Sequence, residues 1–323
     1  MTVVMTPDQV EAKFGKLFCK GFHTLVDEEN GIAQVIDECI ARGPVEWDAV
    51  NRRRAGGVIT GLRVDGTTLI MDTVIGEREV SFGPASKDLG GQGLKALVVQ
   101  GDEVKTTWVG LAGASIGVGA CIPQSRETLR VEYPDDVRIG GAHRVEVSIF
   151  TRKKVRVVYA VDDTDTREEG ATWAMVLKMA MSAPVGKLLD HKIIQLNPNV
   201  PNKTTNCVSV GVSFAVEEKD LEELDRYVTD YIGKHTVSDD TTLAVYKGLQ
   251  IPEELQTYGM DAKRDILGMG RAREVAERSG VRLVHITGER GTIGAVAGIG
   301  CFDMGLRSSA LPEDFPSLTD YEK

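Results

Sequence analysis

Residues 154–181, KVRVVYAVDDTDTREEGATWAMVLKMAM, limit the fold of this chain more than any other stretch. An apolar run ends abruptly in Asp162, Asp163, Thr164 and Asp165. A charged loop, residues 166–169, and Gly170 follow, then an apolar-rich run of good helix formers. This is the pattern of a strand, an acidic turn at its carboxyl end and a helix leaving the turn. Ligands of α/β proteins bind at such turns, and a helix N-terminus favours anions. Three carboxylates beside that helix start repel phosphate unless a divalent cation lies between them. A Mg²⁺–nucleotide site is therefore expected. The competing reading is an acidic loop that caps the next helix and is relieved by Arg167.

A second polar cluster, Lys203, Thr204, Thr205 and Asn206, follows a proline-fixed turn at residues 198–201. A lysine with hydroxyls at a strand start suits phosphate contacts; an ordinary solvated loop fits equally. The polar loop at residues 238–242 is a weaker candidate, and the five histidines are isolated in sequence. Glycines 110, 113, 117 and 119 permit close backbone approach. The segment at residues 110–121 is either a phosphate- or substrate-cradling loop or a tightly packed one. It lacks the Lys-Ser or Lys-Thr of a Walker A loop.

The pattern elsewhere is mixed. Thr6 and Pro7 read as a helix start, with helical stripes at Val10, Phe14, Leu17, Phe18, Phe22 and at Ile32, Val35, Ile36, Cys39, Ile40. Between residues 56 and 150 the period changes to short β-branched segments separated by turns. Residues 83–93 have the composition of a mobile loop and a candidate lid. After residue 181, strands and helices alternate up to the Gly/Ala-rich run at 292–300, and residues 308–323 read as a tail.

Length and composition bound the function. A chain of 323 residues, 42% hydrophobic and 27% charged, suits about two or three soluble domains. With 48 acidic against 38 basic residues, the net charge of −10 argues against a broad, sequence-independent nucleic-acid surface, so extensive nucleic-acid binding is not expected. Five scattered cysteines without CxxC spacing argue against a zinc ribbon or an iron–sulfur cluster and suit a reducing cytoplasm. Neither a secretory signal nor an apolar run near the ~18–20 residues of a membrane span is visible. A cytoplasmic protein without membrane attachment is expected.

Three motifs, VYAVDDTD followed by a glycine and a helix, LNPNVPNKT, and RGTIGAVAGIG, resemble in the same order segments of the archaeal tRNA 2-agmatinylcytidine synthetase. That enzyme attaches agmatine to the anticodon cytidine of an isoleucine tRNA after ATP activation. The resemblance covers residues 155–301. The whole chain, with its β-rich N-terminal extension, resembles methanogenesis marker protein 11, a family of methanogenic archaea.

The β-branched segments give a β-rich N-terminal domain, and the resemblance adds a kinase-like α/β domain and a ferredoxin-like C-terminal part, so an α/β and α+β protein is expected. The corresponding boundaries are 1–54 for N-terminal helices, 55–152 for the β-rich domain, 153–248 for the kinase-like domain, 249–306 for the ferredoxin-like domain and 307–323 for the tail. Asp162, Asp163 and Asp165 would be catalytic and would hold Mg²⁺ and ATP. Lys203 and Thr204 would lie near phosphate, with Thr164, Gly170 and Asn206 in the same nucleotide-binding loops and Arg290 and Gly291 in the ferredoxin-like part. Where the synthetase has adjacent threonines, one of which becomes phosphorylated, this chain keeps only Thr172, the fourth catalytic candidate. The synthetase's OB-fold and zinc ribbon, which help hold tRNA, have no counterpart. The expected activity is ATP/Mg²⁺-dependent phosphoryl transfer on an unknown, non-tRNA acceptor. The alternatives are a non-catalytic nucleotide-binding factor that assembles or matures a methanogenesis complex, and an RNA-modifying enzyme.

Overall fold

The computed structural model describes residues 2–83, 89–313 and 315. The fold is mixed α/β, with three antiparallel sheets among the described residues. The chain forms two compact units, Met1–Lys154 and Val155–Lys323.

The first unit opens with β1 (Thr2–Met5) and α1 (Pro7–Phe14). The helix starts where the sequence places it. Thr6 accepts from the Gln9 N–H at 3.4 Å, and the Gln9 side chain accepts from the Thr6 N–H at 2.9 Å, a reciprocal cap. It stops at Gly15, φ 76°, well short of Phe22. The two stripes read as helical continue instead as β2 (Cys19–Asp27) and β3 (Ile32–Cys39), paired antiparallel. In β2 residues 21–26 are buried on both faces. No alternation therefore shows, and Phe18 and Phe22, four residues apart, imitate one face of a helix.

Next come α2 (Arg42–Ala55), β4 (Ile59–Asp65), β5 (Thr68–Val74), β6 (Gly76–Glu77), β7 (Gly91–Gln100), β8 (Glu103–Leu111), β9 (Thr128–Pro134) and β10 (Arg144–Arg152). The sheets run β2-β3-β5-β4 and β1-β9-β10-β8-β7-β6, and Phe22, Met71, Trp108 and Tyr133 belong to one buried core. Within this unit, Arg52 of α2 is fully buried. It pairs with Asp37 at 2.8 Å and Asp48 at 3.3 Å, donates to Gln92 and lies 4.8 Å over the Trp108 ring. The glycines at 110 and 119 follow the packing reading. A Cβ on Gly110 would come within 2.6 Å of Ser115 Cα, and one on Gly119 within 2.9 Å of Ile139. Of the candidate lid, residues 84–88 lie outside the described residues, and Gly91 to Gly93 are part of β7.

The second unit contains β11 (Val155–Asp162), α3 (Thr172–Met181), β12 (Lys187–Gln195), β13 (Val208–Val216), α4 (Leu221–His235), β14 (Thr242–Lys247), α5 (Glu253–Arg264), α6 (Met269–Arg278), β15 (Arg282–His285) and α7 (Thr292–Cys301). One sheet, β12-β13-β11-β14-β15, carries helices on both faces. The central strand obeys the two-residue period. Val155, Val157, Tyr159 and Val161 pack with Val176 and Met179 of α3 and Leu224 and Val228 of α4. Val158 and Ala160 pack on the other side with Leu255, Tyr258 and Val296. Small residues bring α7 close: a Cβ on Gly298 would fall 2.9 Å from that of Ala160. Lys263 of α5, fully buried, donates to the carbonyls of Gln195 at 2.6 Å, Ser308 at 2.7 Å and Ala310 at 3.0 Å. The stretch read as a tail thus begins inside the fold.

Candidate nucleotide site

The alternation along β11 decides where the acidic residues go. Ala160 faces α7, so Asp162 continues that face, over the first turn of α7. Glycines clear the space: a Cβ on Gly294 would lie 1.4 Å from Asp162 Oδ2, and one on Gly291 would lie 2.6 Å from the Asp162 carbonyl oxygen. Asp163 then turns the chain with φ 56°, a left-handed conformation that aspartate tolerates better than most residues. Its N–H donates to Asp162 Oδ1 at 2.9 Å. Its carboxylate accepts from Arg290 Nε at 3.1 Å, and Arg290 Nη1 lies 2.8 Å from Asp240.

Asp165 is held differently. Its Oδ1 accepts from the Thr204 hydroxyl at 2.9 Å, and its Oδ2 from the Thr172 hydroxyl at 3.3 Å and N–H at 3.4 Å. It therefore satisfies a free donor at the start of α3. Thr164, also buried, donates to the Thr172 hydroxyl at 3.0 Å. Gly170 has φ 97°, and a Cβ there would come 2.7 Å from that of Asp165, so this return of the loop needs glycine.

Burial raises Asp162 well above the usual carboxylate range, and the neighbouring Asp163 charge adds to it. Burial raises Asp163 as well, with Arg290 opposing. In both, desolvation outweighs the opposing Arg290 charge. Cys207, on the same wall, is pushed up to about 12 by burial and by the Asp162 carboxylate, so its thiol stays protonated.

These groups line a cavity of about 300 Å³ within the second unit. Asp162, Asp163, Asp165 and Arg290 meet it on one part of the wall, and Leu196, Ala262, Leu267 and Ile293 make it apolar elsewhere. Gly170, Thr172, Lys203, Thr204 and Asn206 line it too, so the loops chosen from the sequence converge here. Gly291 stands behind Asp162, and the Thr164 side chain points to Thr172. Lys203 is turned back on its own loop, its Nζ 2.5 Å from the Pro198 carbonyl. A shallower cleft of about 400 Å³ shares Asp165, Lys203, Thr204 and Arg290 and adds Arg167 and Asp240. Among the described residues, no three His, Cys, Asp or Glu side chains gather tightly enough to ligate one ion. Mg²⁺ does not need such a trio, because it is usually bound through one or two carboxylates with water and phosphate oxygens.

Several residues at the site carried no signal of their own in the sequence, and Asp240 was seen only within a weaker polar-loop candidate. Asp240 lies in the polar loop 238–242, where nothing marked it as a partner of Arg290. Trp173 and Ile266 line the cavity while remaining exposed, and neither carried a motif.

Comparison with known proteins bears on this arrangement. The model of the TiaS TCKD domain family matches residues 158–220, from the middle of β11 to the 3₁₀ turn before α4. The uncharacterized protein MJ0921 of Methanocaldococcus jannaschii is 30% identical over 299 residues, covering 91% of this chain and 97% of that one. This chain belongs to that protein's family.

The tRNA 2-agmatinylcytidine synthetase TiaS of Pyrobaculum neutrophilum is 31% identical over 156 residues, 46% of this chain and 36% of the synthetase. The Archaeoglobus fulgidus synthetase is 30% identical over 179 residues, 52% and 42%. The match thus spans less than half the length of these synthetases. A solved complex of TiaS with its tRNA and ATP is 26% identical over 45% of this chain and 36% of that one, with a TM-score of 0.41.

Two expectations fall with these relatives. The synthetases that match the site-bearing half are tRNA-modifying enzymes by name, which overturns both the non-tRNA acceptor and the inference that extensive nucleic-acid binding is unlikely. The error lay in using net charge. A sum over 323 residues says nothing of where cations stand, and RNA contacts are local. The membrane expectation is narrower: no helix among the described residues is long and apolar enough to cross a membrane.

Proposed function

We propose that this protein is an ATP-dependent RNA-modifying enzyme whose second unit binds Mg²⁺–ATP. One observation carries the reading: a family model named for a domain of a tRNA-modifying synthetase matches residues 158–220, the segment that supplies three carboxylates to one cavity. In this reading Asp163 and Asp165 would hold Mg²⁺, which takes oxygen ligands. Arg290, released from Asp163, turns to phosphate, and Thr172 and Thr204 orient Asp165. The metal supplies neutralisation of charge developing on the transferred phosphoryl group, and positioning does most of the rest. Phosphoryl transfer to an RNA oxygen makes that oxygen a leaving group for an amine or similar nucleophile. The resemblance to methanogenesis marker protein 11 supports a setting in methanogenic archaea, with a methanogenesis protein as candidate partner.

A second reading, nucleotide binding without turnover in an assembly or maturation factor, is favoured by Thr172. It is 4% exposed, and its hydroxyl is engaged by Thr164 and Asp165, so it is not presented as a phosphate acceptor.

Calorimetric titration with ATP, with and without Mg²⁺, followed by assays for AMP, ADP and phosphate in the presence of bulk archaeal tRNA, separates the two readings. Mg²⁺-dependent binding with RNA-stimulated turnover supports the enzyme. Binding without turnover supports the second reading, and no ATP binding sinks both.

A further inference from the structure

Two large apolar side chains stand exposed on the wall of the cavity that holds the acidic loop. Trp173, in the first turn of α3, is 48% exposed, and Ile266, in the link between α5 and α6, is 64% exposed. Isolated apolar residues on a surface need no explanation. These two differ because both line a cavity whose wall also carries Asp162, Asp163, Asp165 and Arg290. The backbone beneath the indole is fixed on both sides. The Thr172 N–H donates to Asp165, and the Trp173 carbonyl lies 3.2 Å from His191 Nε2 on β12. A half-exposed ring on a fixed backbone presents a flat apolar face at little ordering cost.

We propose that Trp173, with Ile266 on the wall of the same cavity, is the stacking platform for an unpaired nucleobase of an RNA substrate. The inference rests on the RNA-modifying reading above. The choice of an RNA base over the adenine of ATP follows from position. A small ligand is largely enclosed by its pocket, and Leu196, Ala262, Leu267 and Ile293 supply an apolar wall for an adenine ring. A base that belongs to a polymer must enter with its backbone left in solvent, stacking on an aromatic face that is itself partly open. The adjoining cleft carries Arg167, which suits a phosphate flanking the base; Lys203 and Arg290 on the same cleft are already engaged by the Pro198 carbonyl and by Asp163 and Asp240. Asn202 and Thr205, both exposed on the same wall, offer hydrogen bonds to its edge.

The test uses full-length protein, the variants Trp173→Ala and Trp173→Phe, and two probes: a fluorescein-labelled, mixed-sequence single-stranded RNA of about twelve nucleotides, and ATP with Mg²⁺. Because Trp173 is half exposed, both variants should fold, which thermal melts check. Stacking is worth roughly 1–3 kcal/mol per base. Trp173→Ala should therefore weaken RNA binding, read by anisotropy, by about tenfold and by more than it weakens ATP binding read by calorimetry; Trp173→Phe should recover most of the RNA affinity. Unchanged RNA affinity in Trp173→Ala overturns the inference, as does failure of the wild-type protein to bind the RNA. A fall confined to ATP affinity also overturns it and gives the ring to adenine. If the wild-type protein binds no ATP but the RNA loss persists, the enzymatic reading fails and the platform stands.

Discussion

Arg290 Nε donates to Asp163 Oδ2 at 3.1 Å, joining two residues 127 positions apart in sequence. The guanidinium also meets Asp240 at 2.8 Å and is the cation paired with the acidic loop. It occupies the electrostatic role beside these carboxylates that a metal cation would otherwise fill. Arg290→Gln should lower Mg²⁺–ATP affinity about tenfold, because phosphate loses a charge-assisted donor. Asp163→Asn should lower it at least as much and weaken its dependence on Mg²⁺. Calorimetric titrations of each variant across Mg²⁺ concentrations check both. Unchanged Mg²⁺-dependent binding in Asp163→Asn would remove Asp163 from the site.

The two hydroxyls on Asp165 make a separate prediction. Thr204→Val keeps the shape of the side chain and deletes one donor. A single such hydrogen bond contributes about 1 kcal/mol, so the melting temperature should shift by a few degrees at most. Mg²⁺–ATP affinity should fall several-fold through the freed carboxylate. An affinity loss matched by an equal loss of fold stability would show that Thr204 only supports the loop.

Gly294 sits directly beneath Asp162. Gly294→Ala would put a methyl 1.4 Å from Asp162 Oδ2, so α7 or the acidic turn must move. Overpacking of this kind costs roughly 1–3 kcal/mol. Urea denaturation should register that loss, and ATP binding should fall with it. A fully stable, ATP-competent Gly294→Ala protein would show that α7 does not approach the loop as described.

In the first unit, burial raises Asp48 to about 6, with Arg52 opposing and Asp37 adding to the rise. An unfolded aspartate titrates near ~3.9. Between these values the folded chain keeps a proton that the unfolded chain releases. Its contribution is therefore full below pH ~4 and is lost as pH rises through about 6. At most about 3 kcal/mol is involved, taking 1.36 kcal/mol per pKa unit. Asp48→Asn should remove that slope, so the stability difference between wild type and variant should change across roughly pH 4 to 7 in denaturant titrations. Parallel curves would contradict the assignment.

How much of this was legible in the sequence depends on whether a feature is local. The strand, acidic turn and helix at residues 154–181 could be read because Asp162 ends an apolar run abruptly and good helix formers follow Gly170. The cap at Thr6 was legible for the same reason. β2 and β3 were not, because burial on both faces of β2 erased the alternation that marks a strand. The convergence of residues 202–206 and of Arg290 on Asp163 and Asp165 depends on sheet register, which no local pattern encodes. Lys203 to Asn206 were selected as a lysine with hydroxyls after a proline-fixed turn, and Arg290 by the order of three motifs. Trp173 gave no signal, since its importance lies in being exposed beside a cavity. RNA as a substrate class was hidden by averaging charge over the whole chain.

Lys263 also decides where the protein can be cut or extended. Its ammonium is held by the carbonyls of Gln195, Ser308 and Ala310. α5, which carries it, leads directly into the link that bears Ile266. Trimming the chain back to residue 304 would strip two of three acceptors from a buried charge, and the disturbance would reach the cavity wall. An affinity handle or a fusion partner joined after residue 315 would leave that anchor whole. The far end of the chain is thus tied, through one buried ammonium, to the helix that leads into the wall of the cavity.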